Sequence, residues 1–181
     1  MERDLRGLCH PVPVLRLQSP GRRPARHARS APAGTAVIVR PAKIEDIQAL
    51  AAIAERSYRA AFADILEEDV LASRSVSYFE ERFAAAWERM LVALSGQTPL
   101  GFLLMTDGHI DMLFMDPDAG GQGGGALLLQ RAETLGAKSL ECFRDNHGAR
   151  RFYERHGWRV EREYEREFAG CSRSFVLYEK S

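Results

Sequence analysis

The stretch Met115-Asp-Pro-Asp-Ala-Gly-Gly-Gln-Gly-Gly-Gly-Ala-Leu-Leu-Leu129 decides how the chain is read. It opens as the end of an apolar strand, passes through a turn and a glycine-dense loop, and enters a helix. Five of the six residues from Gly120 to Gly125 are glycine. Glycine loses more backbone freedom on folding than any other residue. A loop that stacks five of them is suited to backbone lying close against a ligand. At a helix N-terminus that ligand is most often an anion, because unpaired N–H groups and the positive end of the helix dipole both face it. The loop therefore implies a phosphate-bearing ligand held by backbone amides.

Two nucleotide readings fit poorly. A P-loop places Lys and then Ser or Thr after its last glycine, and here Ala126 and Leu127 follow Gly125. A dinucleotide fingerprint is formally met by Gly121, Gly123 and Ala126, with Glu141 near the place of a ribose-binding acid. Only 40 residues follow Glu141, too few for the rest of a doubly wound sheet.

A second stretch, Asn146-His-Gly-Ala-Arg-Arg-Phe-Tyr-Glu-Arg-His-Gly-Trp158, reads as a short helix. Asn146 is a good N-cap. Ala149, Phe152, Tyr153 and His156 fall at i, i+3, i+4 and i+7, on one face. Gly157 sits where a left-handed C′ residue belongs, and Trp158 where an apolar contact accompanies it. By periodicity alone this is a core helix with an aromatic face.

Together the two stretches resemble the GNAT superfamily of N-acetyltransferases. The first is similar to the family's acyl-CoA loop, Gln/Arg-x-x-Gly-x-Gly/Ala after a strand ending near Val-x-Pro. Met115 and Pro117 match the strand end, and Gly123 and Gly125 the small positions. Gly120 departs from the pattern, because Gln or Arg is usual there, and one side chain is lost from the phosphate site. The second stretch is similar to the family's Asn-x-x-Ala-x-x-Phe-Tyr-x-x-x-Gly-Phe/Trp. The resemblance spans roughly residues 36–181 and implies a mixed α/β fold, a central and largely antiparallel sheet flanked by helices. It implies acetyl-CoA as acyl donor. The loop of Gly120, Gly121, Gln122, Gly123, Gly124, Gly125 and Ala126 is then the pyrophosphate site. Backbone of Leu113, Phe114 and Met115 pairs with the pantetheine amides, as an added strand does. Asn146 and Phe152 lie along the same arm, although capping its own helix is an equal use for Asn146.

The resemblance also implies acetyl transfer to a primary amine by direct attack on the thioester. A lysine-like amine with a pKa near 10.4 is neutral about once in 2,500 molecules at pH 7, a deficit of roughly 4.6 kcal/mol. A base eases removal of that proton, and an acid serves the departing thiolate. Tyr153 occupies the family's general-acid position, and a phenol is a suitable donor at neutral pH. His109 stands on the fourth strand where some members carry a glutamate, with Asp111 two residues on along the same face. A solvated histidine beside a hairpin turn is the other reading of His109, and ordered water the other base. A bulge in that strand opens a place for the thioester carbonyl. Residues 56–81 line the acceptor side in this family. Their acids, Glu67, Glu68, Asp69, Glu80 and Glu81, either receive a cationic amine or form a solvated helix surface. The acceptor, a small-molecule or peptide amine, stays open. A non-catalytic acyl-CoA-binding module is the rival function, kept alive by Gly120.

Composition sets the remaining bounds. Residues 1–35 carry seven arginines against Glu2 and Asp4, which leaves 18 basic and 23 acidic residues for the rest. The arginine- and proline-rich extension has no sustained period and reads as unfolded, ahead of one domain over 36–181. A mildly acidic body gives no footprint for nucleic acid. No run of 18 apolar residues exists, so no membrane span is expected. Cys9, Cys142 and Cys171 lack metal spacing, no metal is indicated, and reduced thiols in a cytoplasmic protein are expected. Cys142 lies in an apolar run and reads as core rather than nucleophile. Oligomeric state is either monomer or homodimer.

The expected elements are a strand at 36–40, helical regions at 43–55, 58–66 and 78–87, and strands at 90–95, 99–106 and 109–115. A helix at 125–135, a strand at 139–143, the Asn146 helix and strands at 160–168 and 174–179 follow. Asp107-Gly108 is the strongest hairpin signal.

Overall fold

Seven apolar or alternating runs become the strands of one sheet, ordered β1-β2-β3-β4-β5-β7-β6. The computed structural model describes residues 36–180; the extension predicted over residues 1–35 lies outside the described residues. The strands are β1 (Val37–Pro41), β2 (Met90–Ser95), β3 (Thr98–Thr106), β4 (His109–Met115), β5 (Ser139–Phe143), β6 (Arg159–Phe168) and β7 (Cys171–Glu179). Every neighbouring pair is antiparallel except β4 and β5. This is the mixed α/β arrangement that the sequence implied.

The helices divide between the two faces of the sheet. On one side lie α1 (Ile47–Phe62), α2 (Glu68–Ser73) and α3 (Val76–Ala84), sealed over Phe79, Phe83, Phe102 and Leu50. On the other lie α4 (Gly124–Thr134) and α5 (His147–Arg155), packed on Leu128, Leu129, Tyr178 and Trp158. Among the described residues no helix is long and apolar enough to cross a membrane.

Two helical expectations change. The regions at 43–55 and 58–66 are a single helix, α1, after a 3₁₀ turn at Ile44–Asp46. Nothing between Glu55 and Tyr58 breaks a helix, and the buried stripe Leu50, Ile53, Ala54, Ser57, Tyr58, Phe62 runs straight through. Helix α2 escaped the periodicity because it is six residues long and buries only Leu71. Cys142 is free and Cys171 is disulfide-bonded, which corrects the expectation of three reduced thiols.

The turns follow their residues. Asp107 and Gly108 both have positive φ, 49° and 81°, as a two-residue hairpin turn of the favoured hand requires. At the end of α5, Gly157 has φ 80°, its N–H donates to Glu154 O, and Trp158 N–H donates to Tyr153 O. That is the Schellman pair, and it drops Trp158 into the core at 2% exposure.

Candidate active site

The site begins where the sheet parts. β4 and β5 are parallel, and they pair only at His109–Ser139 and Ile110–Leu140. β5 continues to Phe143 bonded to β7, and β4 continues to Met115 bonded to β3. From Met112 onward β4 has no strand partner on its β5 side.

The backbone on that open edge follows from register. Asp116 N–H donates to Leu100 O, and an antiparallel ladder alternates inward- and outward-facing residues. Phe114 therefore commits its backbone to β3, whereas Leu113 and Met115 turn theirs to the gap. Met115 O accepts a hydrogen bond from Ser57 Oγ of α1 at 2.7 Å. Leu113 N–H, Leu113 C=O and Met115 N–H remain. Asp111 is the extra residue of a bulge between the Ile110–Met105 and Met112–Leu104 pairs. Its carboxylate accepts from Thr106 Oγ1 at 2.6 Å, and Arg89 donates to the same hydroxyl.

The glycine loop leaves the end of β4. Asp116 caps the 3₁₀ turn Pro117–Ala119 and is held by Arg56 of α1 at 2.6 Å. Gly121 and Gly123 have φ of 82° and 78°. Gly123 is the N-cap of α4 and brings no side-chain acceptor, so the first amides of the helix have no capping side chain. A Cβ at Gly124 would meet Met115 Cε at 2.8 Å, which seats the helix directly on the strand end. Gly101 makes the same strand approach possible from β3. A Cβ there would overlap the Met115 sulfur and the Phe114 carbonyl oxygen. Gly101→Ala is accordingly expected to lower stability by about 1–3 kcal/mol through forced backbone shifts. Urea unfolding checks it, and unchanged stability would mean that β4 yields freely.

Two cavities flank the gap. One, of about 440 Å³, is lined by Met115, Gly125, Phe152 and Ser57. The other, of about 390 Å³, is lined by His109, Asp111, Glu141, Arg74 and Arg82. Both reach Leu113, Phe114, Asn146, Ala149 and Tyr153. Tyr153 thus stands at their junction. It is 6% exposed, its ring lies 5.4 Å from Phe152 and 5.9 Å from Tyr178, and its hydroxyl makes no hydrogen bond to the described residues. Burial pushes its pKa well above that of an ordinary phenol, with the neighbouring Cys142 and Tyr178 acting in the same direction. Burial likewise pushes the Cys142 thiol up to about 12.

The remaining predicted residues take distinct places. His109 lines the second cavity, with Nδ1 2.9 Å from Ser139 Oγ. Asn146 caps α5, its Oδ1 accepting from Ala149 N–H at 3.1 Å, which leaves its amide NH₂ at the junction. Gly120, Gly121, Gln122, Gly123, Gly124 and Ala126 line neither cavity. The acids of residues 56–81 face elsewhere. Glu67 binds Arg173, Glu68 binds Arg59, and neither these nor Asp69, Glu80 and Glu81 line a cavity. Sequence reasoning put residues 56–81 on the acceptor side without singling out Ser57 or Arg74, and it missed Arg82, Glu141 and Arg166 as lining residues. Ser57 carried a signal, as a hydroxyl on the apolar stripe of α1.

A family model described as an acetyltransferase (GNAT) domain matches residues 55–180. The chain belongs to the GNAT acetyltransferases. The split between β4 and β5, the bulge and the loop are thus features of a GNAT domain. The peptidyl-lysine N-acetyltransferase YjaB of Salmonella typhimurium is 41% identical over 71 residues, covering 38% of this chain and 49% of that protein. Its Escherichia coli counterpart is 35% identical over 63 residues, covering 34% and 43%. The chain thus spans about half the length of the curated relatives it matches. The solution structure of apo YjaB from Escherichia coli superposes with a TM-score of 0.63 at 25% identity, over 79% of this chain and 96% of that one. The PaiA N-acetyltransferase of Thermoplasma acidophilum, crystallised with coenzyme A, gives 0.64 at 21% identity, over 80% and 99%. The GNAT fold therefore covers the described domain.

Proposed function

We propose that the protein transfers an acetyl group from acetyl-CoA to a primary amine by direct attack on the thioester. The observation that carries this reading is Tyr153, a phenol without a hydrogen-bond partner at the junction of two cavities in a GNAT domain. A protein that only bound acyl-CoA has no use for a phenol there.

Acetyl-CoA supplies an activated acetyl thioester. The 440 Å³ cavity and the glycine loop fit its long anionic arm, because the loop offers amides without capping side chains. Amides from Gly121 to Ala126 take the pyrophosphate, and Gly120 adds no side chain to them. Leu113 and Met115 take the pantetheine amides through their free backbone groups. Phe114 has its backbone committed to β3, so it contributes by its ring. The Asn146 NH₂ and the Phe152 ring border the same arm.

The acceptor amine enters from the 390 Å³ cavity. His109 takes its proton at Nε2, directly or through a water, while Ser139 holds Nδ1. The bulge at Asp111 makes room for the carbonyl oxygen beside Leu113. Tyr153 donates a hydrogen bond to the departing sulfur and then its proton. A thiolate in the same buried surroundings is as poorly solvated as a phenolate, so its basicity rises with that of Tyr153. Direct attack, rather than acyl transfer through Cys142, fits a thiol that stays protonated at neutral pH.

Calorimetric titration with acetyl-CoA, followed by a thiol-release screen over amines, tests the reading. Saturable binding with turnover supports it, binding without any turnover leaves a binding module, and no binding by folded protein ends it. For the base, His109→Ala is expected to change the acidic limb of the pH–rate profile. An identical profile removes the histidine and leaves water.

A further inference from the structure

The acceptor cavity carries a charge bias. Three guanidinium groups, Arg74, Arg82 and Arg166, face two carboxylates, Asp111 and Glu141. Both carboxylates are occupied. Glu141 accepts from the Tyr164 hydroxyl and from Arg166, which neutralises that arginine. Asp111 accepts from Thr106, whose hydroxyl Arg89 also holds. Arg74 and Arg82 have no carboxylate partner among the described residues. Arg74 donates to Ser73 Oγ at 3.2 Å, and its guanidinium lies 4.6 Å from the centre of the Tyr78 ring. A guanidinium so placed over a ring is oriented, and with five N–H donors it keeps several beyond the one given to Ser73 for a planar anion.

A second observation points the same way. The Tyr58 hydroxyl is buried against this cavity and has no hydrogen-bond partner, in a residue that is 8% exposed. The nearby Arg74 guanidinium opposes the upward pull of burial on the Tyr58 pKa without making a sound hydrogen bond. A buried orphan donor is costly and is relieved when an acceptor oxygen arrives.

We propose, on the footing of the amine transfer above, that the acceptor is a small amino acid whose free carboxylate is held by Arg74 and Arg82, with Tyr58 donating to the same group. Charge-assisted, bidentate carboxylate recognition is what a guanidinium fork does best. The same two cations disfavour the ammonium form of an amine bound beside them, and direct attack needs the neutral form. A lysine side chain within a protein brings a cation and no carboxylate, so it gains nothing from these arginines.

The test is a thiol-release assay on the full chain with acetyl-CoA and a matched panel. The panel holds free L-amino acids, the same compounds as amides, their decarboxylated amines, and a blocked peptide with one internal lysine. At least one amino acid is expected to exceed its amide and its decarboxylated amine by about 10-fold or more in kcat/KM. Arg74→Ala and Arg82→Ala are expected to raise KM for that acceptor by about 10-fold each, leave KM for acetyl-CoA unmoved, and bring the amino acid to amide ratio toward one. Arg74→Lys keeps the charge without the fork and is expected to fall between. Equal or better turnover of amides, amines or the lysine peptide overturns the carboxylate assignment while leaving the transfer intact. So does silence from every amino acid in protein that binds acetyl-CoA. Failure to bind acetyl-CoA at all takes down the transfer itself, and calorimetry run beside the assay tells the two failures apart.

Discussion

Tyr153→Phe is expected to lower kcat by about 10²–10⁴ while leaving KM for acetyl-CoA within about twofold, because a positioned general acid acts in the transition state and contributes on that scale. The substitution removes one oxygen that is bonded to nothing in the described residues, and it keeps the ring packed against Phe152 and Tyr178. Stability should therefore hold, and a thermal melt run beside the kinetics separates lost chemistry from lost fold. The pH dependence has a definite sign. Burial raises the folded-state pKa of Tyr153, so the phenol stays protonated throughout the neutral and mildly alkaline range. Wild-type kcat should show no alkaline fall from this group up to about pH 10, the value of an unperturbed phenol. Cys142 supplies the control. With its thiol pushed up to about 12, it is ionised about once in 10⁵ molecules at pH 7, so Cys142→Ala should retain turnover. A Tyr153→Phe enzyme with wild-type kcat, or a Cys142→Ala enzyme without activity, would move the chemistry from the phenol to the thiol.

Much of this frame is legible in the chain because its signals are local. Asp107-Gly108 demands a hairpin, Asn146 caps a helix through its own side chain, and Gly157 and Trp158 end that helix, each through a bond spanning a few residues. The glycine loop is legible for the same reason. What stayed hidden depends on contacts between distant segments. Ser57 meets Met115 across 58 residues, and Arg173 meets Glu67 across 106. The acids at 67–69 looked available for an amine because nothing local showed that arginines elsewhere would claim two of them. Arg74 and Arg82 carried no local signal, because their place at the cavity depends on how α2 and α3 lie on α1. Helix α2 was invisible for an energetic reason. A six-residue helix with one buried leucine depends on tertiary packing, and no propensity announces it.

Gly125 separates the fold from the ligand more sharply than any other position in the loop. It lies in the first turn of α4 with ordinary helical backbone, and an added Cβ would meet Met115 and Phe152 at 3.5 Å, a normal van der Waals distance. Alanine therefore fits, and it should stabilise the helix by up to about 1 kcal/mol. A longer side chain continues from that Cβ into the cavity that Gly125 lines. Gly125→Leu is expected to weaken acetyl-CoA binding by about 100-fold or more, or roughly 2.7 kcal/mol, with a melting temperature no lower than the parent's. Gly123 gives the opposite dissection. Its φ of 78° strains any side chain, but a Cβ there meets nothing within 4 Å. Gly123→Ala should cost about 1–2 kcal/mol of stability from the left-handed backbone alone, and it affects binding only so far as the loop relaxes. Calorimetry with acetyl-CoA and thermal unfolding on both variants resolve the matter. If Gly125→Leu binds as tightly as the parent, the acyl-CoA arm does not run past Gly125, and the 440 Å³ cavity loses its assigned occupant. If it loses binding and stability together, the first turn of α4 has been displaced, and Gly125→Ala becomes the deciding variant. Kept affinity with a raised melting temperature in that variant locates the fault in side-chain length beyond Cβ, where the ligand is placed.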